Sequence, residues 1–223
     1  YLAGWTDSVN LPLASPLQGH MGGVDAFVVK LRASDGSLEF GTYIGGRGDD
    51  RAFGVAVDSS GNIVLTGWTS SPNFPTANPA QSSLAGGRDA FVLKLRSDGR
   101  QLLFSTYLGG SGQESGNAVA VDPNGNIFVG GETSSWNFPT QGGVQASLLG
   151  PGDGFVASFD ASGQLRYSTL FGGHGQDRIL AVVAGADGAA YIAGTTDSTD
   201  LPVVAAFQNS SGGGEDAFVA KLA

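Results

Sequence analysis

An all-β chain of short antiparallel sheets fanned about a common axis is what this sequence predicts, on three observations. The chain repeats itself in step, its apolar residues alternate with a period of two, and its side chains grade from small to bulky within each repeat. The repeat is the first signal to establish, because missing it would misread the whole architecture. Asp25-Ala-Phe-Val-Val-Lys-Leu31 returns from Asp89, Asp153 and Asp216, at offsets of 64, 64 and 63 residues. Thr42-Tyr-Ile-Gly-Gly46 returns from Thr106 and Thr169. Gly4-Trp-Thr-Asp-Ser8 returns from Gly67, Gly131 and Gly194, and Leu11-Pro12, Phe74-Pro75, Phe138-Pro139 and Leu201-Pro202 keep step with it.

Each repeat holds four strands, A to D in chain order. Val119-Ala-Val121 (strand A) leads through the turn Asp122-Pro-Asn-Gly-Asn126 into Ile127-Phe-Val129 (strand B). An Asp-, Asn- and Gly-rich turn between two alternating runs is the signal of a β-hairpin. The Asp-Ala-Phe-Val element is strand C, and Gln101–Leu108 after the turn Ser97-Asp-Gly-Arg100 is strand D. The B-to-C connection is long, about Ser70 to Arg88, with a helical turn or two expected at most near Ala80–Leu84 or Val144–Leu149. Strand A is rich in Ala, Gly and Val, whereas strand D carries Phe104, Tyr107 or Tyr167. That grading suits sheets converging on an axis at A and diverging at D, since packing at native density leaves little room at the hub. The sequence therefore predicts a β-propeller, or an arc of one, built of four-stranded antiparallel blades with a repeat of about 64 residues. One repeat domain spans 1–223: a partial blade at 1–46 (B-C-D), full blades at 47–110 and 111–173, and a partial blade at 174–223 (A-B-C). Both terminal blades contain B and C and so cannot merge, which leaves an arc of a larger ring, the reading preferred here, or four blades closing on themselves.

Composition narrows the function. Gly supplies 37 of 223 residues, more than twice the usual share of about 7%. No cysteine is present, which removes disulfides, thiolate metal sites and cysteine catalysis. A net charge of -9 argues against a nucleic-acid partner. No apolar run reaches the roughly 18 residues of a membrane span.

The ordered motifs Gly-Gly-x-Gly-x-acid, Ala-Val-Asp-x-x-Gly-Asn, Gly-x-Thr-x-Ser-x-x-Phe-Pro, Asp-Ala-Phe-Val-x-Lys-Leu and Thr-Tyr-Leu-Gly-Gly resemble the SBBP (seven-bladed beta-propeller) repeat. The stretch Gly45 to Gly110 follows this order. The resemblance implies a bacterial secreted or cell-surface propeller, with no catalytic signature to carry over. The later repeats depart most, with Gly185 in place of the hairpin Asp and Leu170-Phe171 in place of Tyr-Leu.

Candidate chemistry rests on two sets of residues. Asp50, Glu114 and Asp177 share one repeat position in the D-to-A linkers. If they converge on the channel mouth they would suit a hard cation such as Ca2+, or catalysis on a polysaccharide; otherwise they cap strand A. Trp5 and Trp68 are equivalent, and Trp136 lies on a B-to-C loop. On a loop-rich face they would take a protein or polysaccharide, and otherwise they cover the gaps between blades. Asp25, Asp89, Asp153 and Asp216 read as loop caps or partners of the following lysines. Arg47-Gly-Asp49 reads as a turn, and His20 and His174 share no metal-ligand spacing. The expected role is a non-catalytic structural or interaction module. Its alternatives are a filament or ring subunit that self-associates through its terminal blade edges, and a carbohydrate-active hydrolase or lyase.

Overall fold

The computed structural model describes residues 1–222; the expected stop just after strand C at Ala223 lies outside them. Fourteen strands form four antiparallel sheets. Sheet I holds β1 (Leu2–Thr6), β2 (Asp25–Leu31) and β3 (Leu38–Ile44). Sheet II holds β4 (Asp50–Val57), β5 (Ile63–Thr69), β6 (Asp89–Leu95) and β7 (Leu102–Leu108). Sheet III holds β8 (Glu114–Val121), β9 (Ile127–Thr133), β10 (Asp153–Phe159) and β11 (Leu165–Phe171). Sheet IV holds β12 (Asp177–Ala184), β13 (Ala190–Thr196) and β14 (Asp216–Leu222). Each sheet is a meander in which consecutive strands pair. No helix forms among the described residues, so the turns expected near Ala80–Leu84 and Val144–Leu149 are bends and coil instead.

Local chemistry sets the turns. Between β4 and β5 the Asp58 carboxylate accepts from the amides of Ser60 (2.9 Å) and Asn62 (2.8 Å). Asp122 repeats this with Asn124 and Asn126 between β8 and β9. Such side-chain acceptors fix a tight turn without help from the rest of the fold. Gly99 and Gly163 in the C-to-D turns are doubly constrained. Both have positive φ, and a Cβ there would stand 2.5 Å from Phe40 and 2.4 Å from Phe104 respectively, aromatic rings of the preceding sheet.

Successive sheets pack face to face. Phe91, Leu93 and Leu95 of sheet II bury against Ala26, Val28 and Phe40 of sheet I. Phe155, Ala157 and Phe159 of sheet III cover Val92 and Phe104 of sheet II, and Ile192 and Phe218 of sheet IV cover Phe128 and Val156 of sheet III. The backbones of the first strands of neighbouring sheets come close, β4 to β8 and β8 to β12, while the outer strands β3 and β7 reach the next sheet through the bulky rings of Phe40 and Phe104. A Cβ on Gly116 would stand 2.1 Å from the Thr66 hydroxyl, and one on Gly54 3.1 Å from the Val119 amide, so these hub positions admit only minimal side chains. The predicted taper is thus present.

The long B-to-C connections are not free loops. Ala77 pairs with Ser105, and Gln141 with Ser168, so in sheets II and III the connection returns along the outer strand as a fifth, one-residue bridge. The Tyr107 hydroxyl accepts from the Phe74 amide (3.0 Å) and donates to the Ser71 carbonyl (2.7 Å); Tyr43 binds Leu11 and Ser8 in the same way. Strand D therefore holds the loop that precedes strand C, which accounts for the recurring Thr-Tyr.

Candidate functional site

The loop-bearing ends of the sheets carry both sets of candidate residues. Asp50, Glu114 and Asp177 open β4, β8 and β12, and all three are fully buried. Each faces the strand-C aspartate of the preceding sheet across a glycine. A Cβ on Gly45 would lie 2.2 Å from Asp25 Oδ1 and 2.8 Å from Asp50 Oδ2, and Gly109 and Gly172 stand the same way between Asp89 and Glu114 and between Asp153 and Asp177. The expectation that the three acids converge on the channel mouth is therefore corrected. They sit one per junction, and among the described residues no three His, Cys, Asp or Glu side chains gather to hold a metal ion. The reason is the pleat: the first residue of strand A turns toward the preceding sheet rather than toward the axis.

Each of these acids is bound into its junction. Asp50 accepts from the Gly46 amide (2.7 Å) and the Ser71 hydroxyl (2.8 Å), and Asp177 accepts from Gly173 and Ser198. Glu114, one methylene longer, takes the Gly110 amide, the Thr133 hydroxyl (2.6 Å) and the Ser135 hydroxyl (2.5 Å). This is the physical content of the recurring Gly-x-Thr-x-Ser. Its Ser, and in sheet III its Thr as well, are the acid's hydrogen-bond donors, a role that spacing alone does not reveal. Burial pushes the Asp50 carboxyl up to about 6 against these bonds, and it raises Glu114 as well, with Asp25 and Asp89 adding repulsion.

The strand-C aspartates cap the loops before them. Asp89 accepts from Gln81 Nε2 (2.7 Å) and the Ala85 amide (2.9 Å), and Asp153 from Gln145 and Leu149. The same Gln81 accepts from the Gly109 amide, so it ties loop, strand and Gly-Gly linker together. The strand-C lysines bond elsewhere: Lys94 reaches Asp58 (2.8 Å) and Lys30 reaches Glu39 (2.6 Å). Where Gly185 has replaced the hairpin Asp, Lys221 finds Asp187 two residues further on (2.7 Å). Asp49 of the Arg-Gly-Asp turn accepts from the Val24 amide, and the His174 ring contacts Asp200.

The tryptophans divide. Trp136 is 78% exposed on its loop. Trp5 and Trp68 instead join two arginines in a row that the sequence does not announce. The Arg51 guanidinium lies 4.3 Å from the Trp5 ring centre and 5.2 Å from that of Trp68, and Arg88 lies 4.9 Å from Trp68. Arg51 pairs with Trp68 across β4 and β5, and Arg88 directly precedes β6, so three of the four side chains stand side by side on sheet II. Trp5 reaches them from the end of β1 and stays 47% exposed. At the junction of sheets III and IV the equivalents of Trp5 and Arg51 are Glu132 and Arg178, which form an ion pair (2.8 Å).

Comparison with known proteins agrees with the repeat. Residues 39–75 and 103–139 match the family SBBP, described as a beta-propeller repeat, so the chain carries that repeat at two positions. The chain is also 30% identical, over 142 residues, to the "Regulatory protein FlaEY" of Caulobacter vibrioides. That stretch covers 63% of this chain and 14% of the relative.

Proposed function

We propose that this chain is a non-catalytic interaction module of a bacterial secreted or cell-surface protein, and that its end faces are docking surfaces for a further sheet of the same repeat. The supporting observation is an exchange of environments at one repeat position. Val28, Val92 and Val156 are fully buried under the following sheet, whereas Val219, their equivalent in sheet IV, is 81% exposed. At the other end Leu2 is 54% exposed, while its equivalents Leu65 and Val129 are sealed by the preceding sheet. Leu2, Leu11, Phe27, Val29 and Leu31 line an apolar groove of about 350 Å³ on that face. The two end faces are thus the two halves of a contact made three times inside the molecule, and head-to-tail stacking would repeat it.

The alternative of a carbohydrate-active hydrolase or lyase loses its support, because Asp50, Glu114 and Asp177 are sealed from solvent and already hydrogen-bonded. Calcium would meet two carboxylates at each junction with a glycine between them, short of the six to eight oxygens it takes. Static light scattering over a concentration series tests the docking reading. Association of the parent chain that Val219→Asp abolishes is the expected result. A parent chain that stays monomeric throughout overturns it.

A further inference from the structure

We propose that Trp5, Arg51, Trp68 and Arg88 form a binding site for the carboxylates of an acidic glycan. The inference is independent of whether the end faces dock. Both guanidiniums are held by stacking alone. Among the described residues no carboxylate lies within ion-pair distance of Arg51 or Arg88, although the chain carries a net charge of -9. Most of the other cations have found acids, among them Lys30, Lys94, Arg96, Arg178 and Lys221. In each of the two arginines Nε is sealed from solvent without a partner, and the outer amino groups are neither sealed nor bonded within the chain.

Stacking fixes the plane of a guanidinium and spends only its face, so the donors along its edge remain free for an oxyanion in that plane. A side chain held this way loses little further entropy when it binds, which separates it from a mobile surface arginine. The two guanidiniums are joined by the Trp68 ring, which both contact. An acid at this row is tolerated by the fold, because Glu132 occupies the equivalent position in sheet III. Its absence from sheets I and II leaves two positive charges uncompensated.

The row offers flat rings and planar cations, and the exposed Trp5 ring stands at its end. The apolar groove of sheet I is lined by other residues, Leu2, Phe27 and Val29 among them. A ligand for the row needs acidic groups and a ring whose face stacks on an indole, and a uronic-acid chain, with a carboxylate and a C–H face on each sugar, has both. An acidic peptide supplies the charge without the stacking ring.

Titration with tri-galacturonate, followed by indole fluorescence, tests the assignment. A saturable change is expected, and the methyl-esterified trimer, which keeps the rings and loses the charge, should bind at least tenfold more weakly. The double variant Arg51→Gln, Arg88→Gln should shift the midpoint at least tenfold, and Arg88→Lys, which keeps the charge but not the planar fork, should fall between. Should the double variant lose its cooperative melt, Arg88→Lys alone carries the comparison, since Arg88 lies outside the strands. Equal binding of the ester, a midpoint unmoved by the arginine substitutions, or no saturable response overturns the site. Tighter binding of oligoglutamate than of the uronate overturns the glycan assignment in favour of an acidic peptide.

Discussion

Sheets II and IV carry the same repeat in different surroundings. Lys94 and Lys221 occupy one repeat position, and their ion pairs are equally short, 2.8 Å to Asp58 and 2.7 Å to Asp187. The first pair is covered by sheet III and both its side chains are 6% exposed; in the second they are 45% and 50% exposed. The strand-C aspartates diverge in the same way. Burial raises the Asp89 carboxyl, whereas in Asp216 the Ser211 hydroxyl and the Gly212 amide outweigh it and hold the carboxyl below its ordinary value. A repeat therefore specifies geometry, while its neighbour specifies energy.

The largest effects should come from the charged pairs. Lys94→Ala strands Asp58 without its cation, and breaking a buried pair should cost about 3–5 kcal/mol in a urea unfolding titration. Lys221→Ala should leave the unfolding midpoint where it is, because its pair stands in water. Equal losses at the two positions would mean that sheet IV is covered in solution. Next come the apolar equivalents. Leu65→Ala should cost about 2–5 kcal/mol, and Leu2→Ala within about 0.5 kcal/mol, read by the same titration.

The smallest expected effect is in pH. Asp50 has a folded value of about 6 against an ordinary 3.8. Ionising it penalises the folded state, so the penalty is complete above about pH 6 and absent below the ordinary value. Acidification from pH 7.5 to 5 should raise stability on the order of 1 kcal/mol through this group, and Asp50→Asn should flatten that rise in thermal melts. Asp216 acts with the opposite sign. Its contribution is present above the ordinary carboxylate value and fades as the pH falls through its lowered one, so the gain should reverse in stronger acid. A melting temperature that falls steadily from pH 7.5 to 5 would contradict the buried junction acids.

Much of this was legible because the repeat is redundant. Strand order, the hairpin turns at Asp58 and Asp122, and the graded hub and rim follow from landmarks that recur in step. The site was legible only in outline. Trp5 and Trp68 stand out as equivalent residues, but nothing near them in the chain points to Arg51 and Arg88, which come from a different strand and from the end of a loop. Asp50, Glu114 and Asp177 share a position whose side-chain direction depends on which face of the pleat meets a neighbour, and an alternating pattern does not say which neighbour that is.

The sequence by itself determined the local structure, because alternation, turn chemistry and side-chain size act within a few residues of where they are written. The tertiary structure alone decided which acids are buried, which cations find partners and which apolar faces stay open. Those outcomes depend on the sheet that packs opposite, and desolvation and charge pairing are set by whatever lies across that gap.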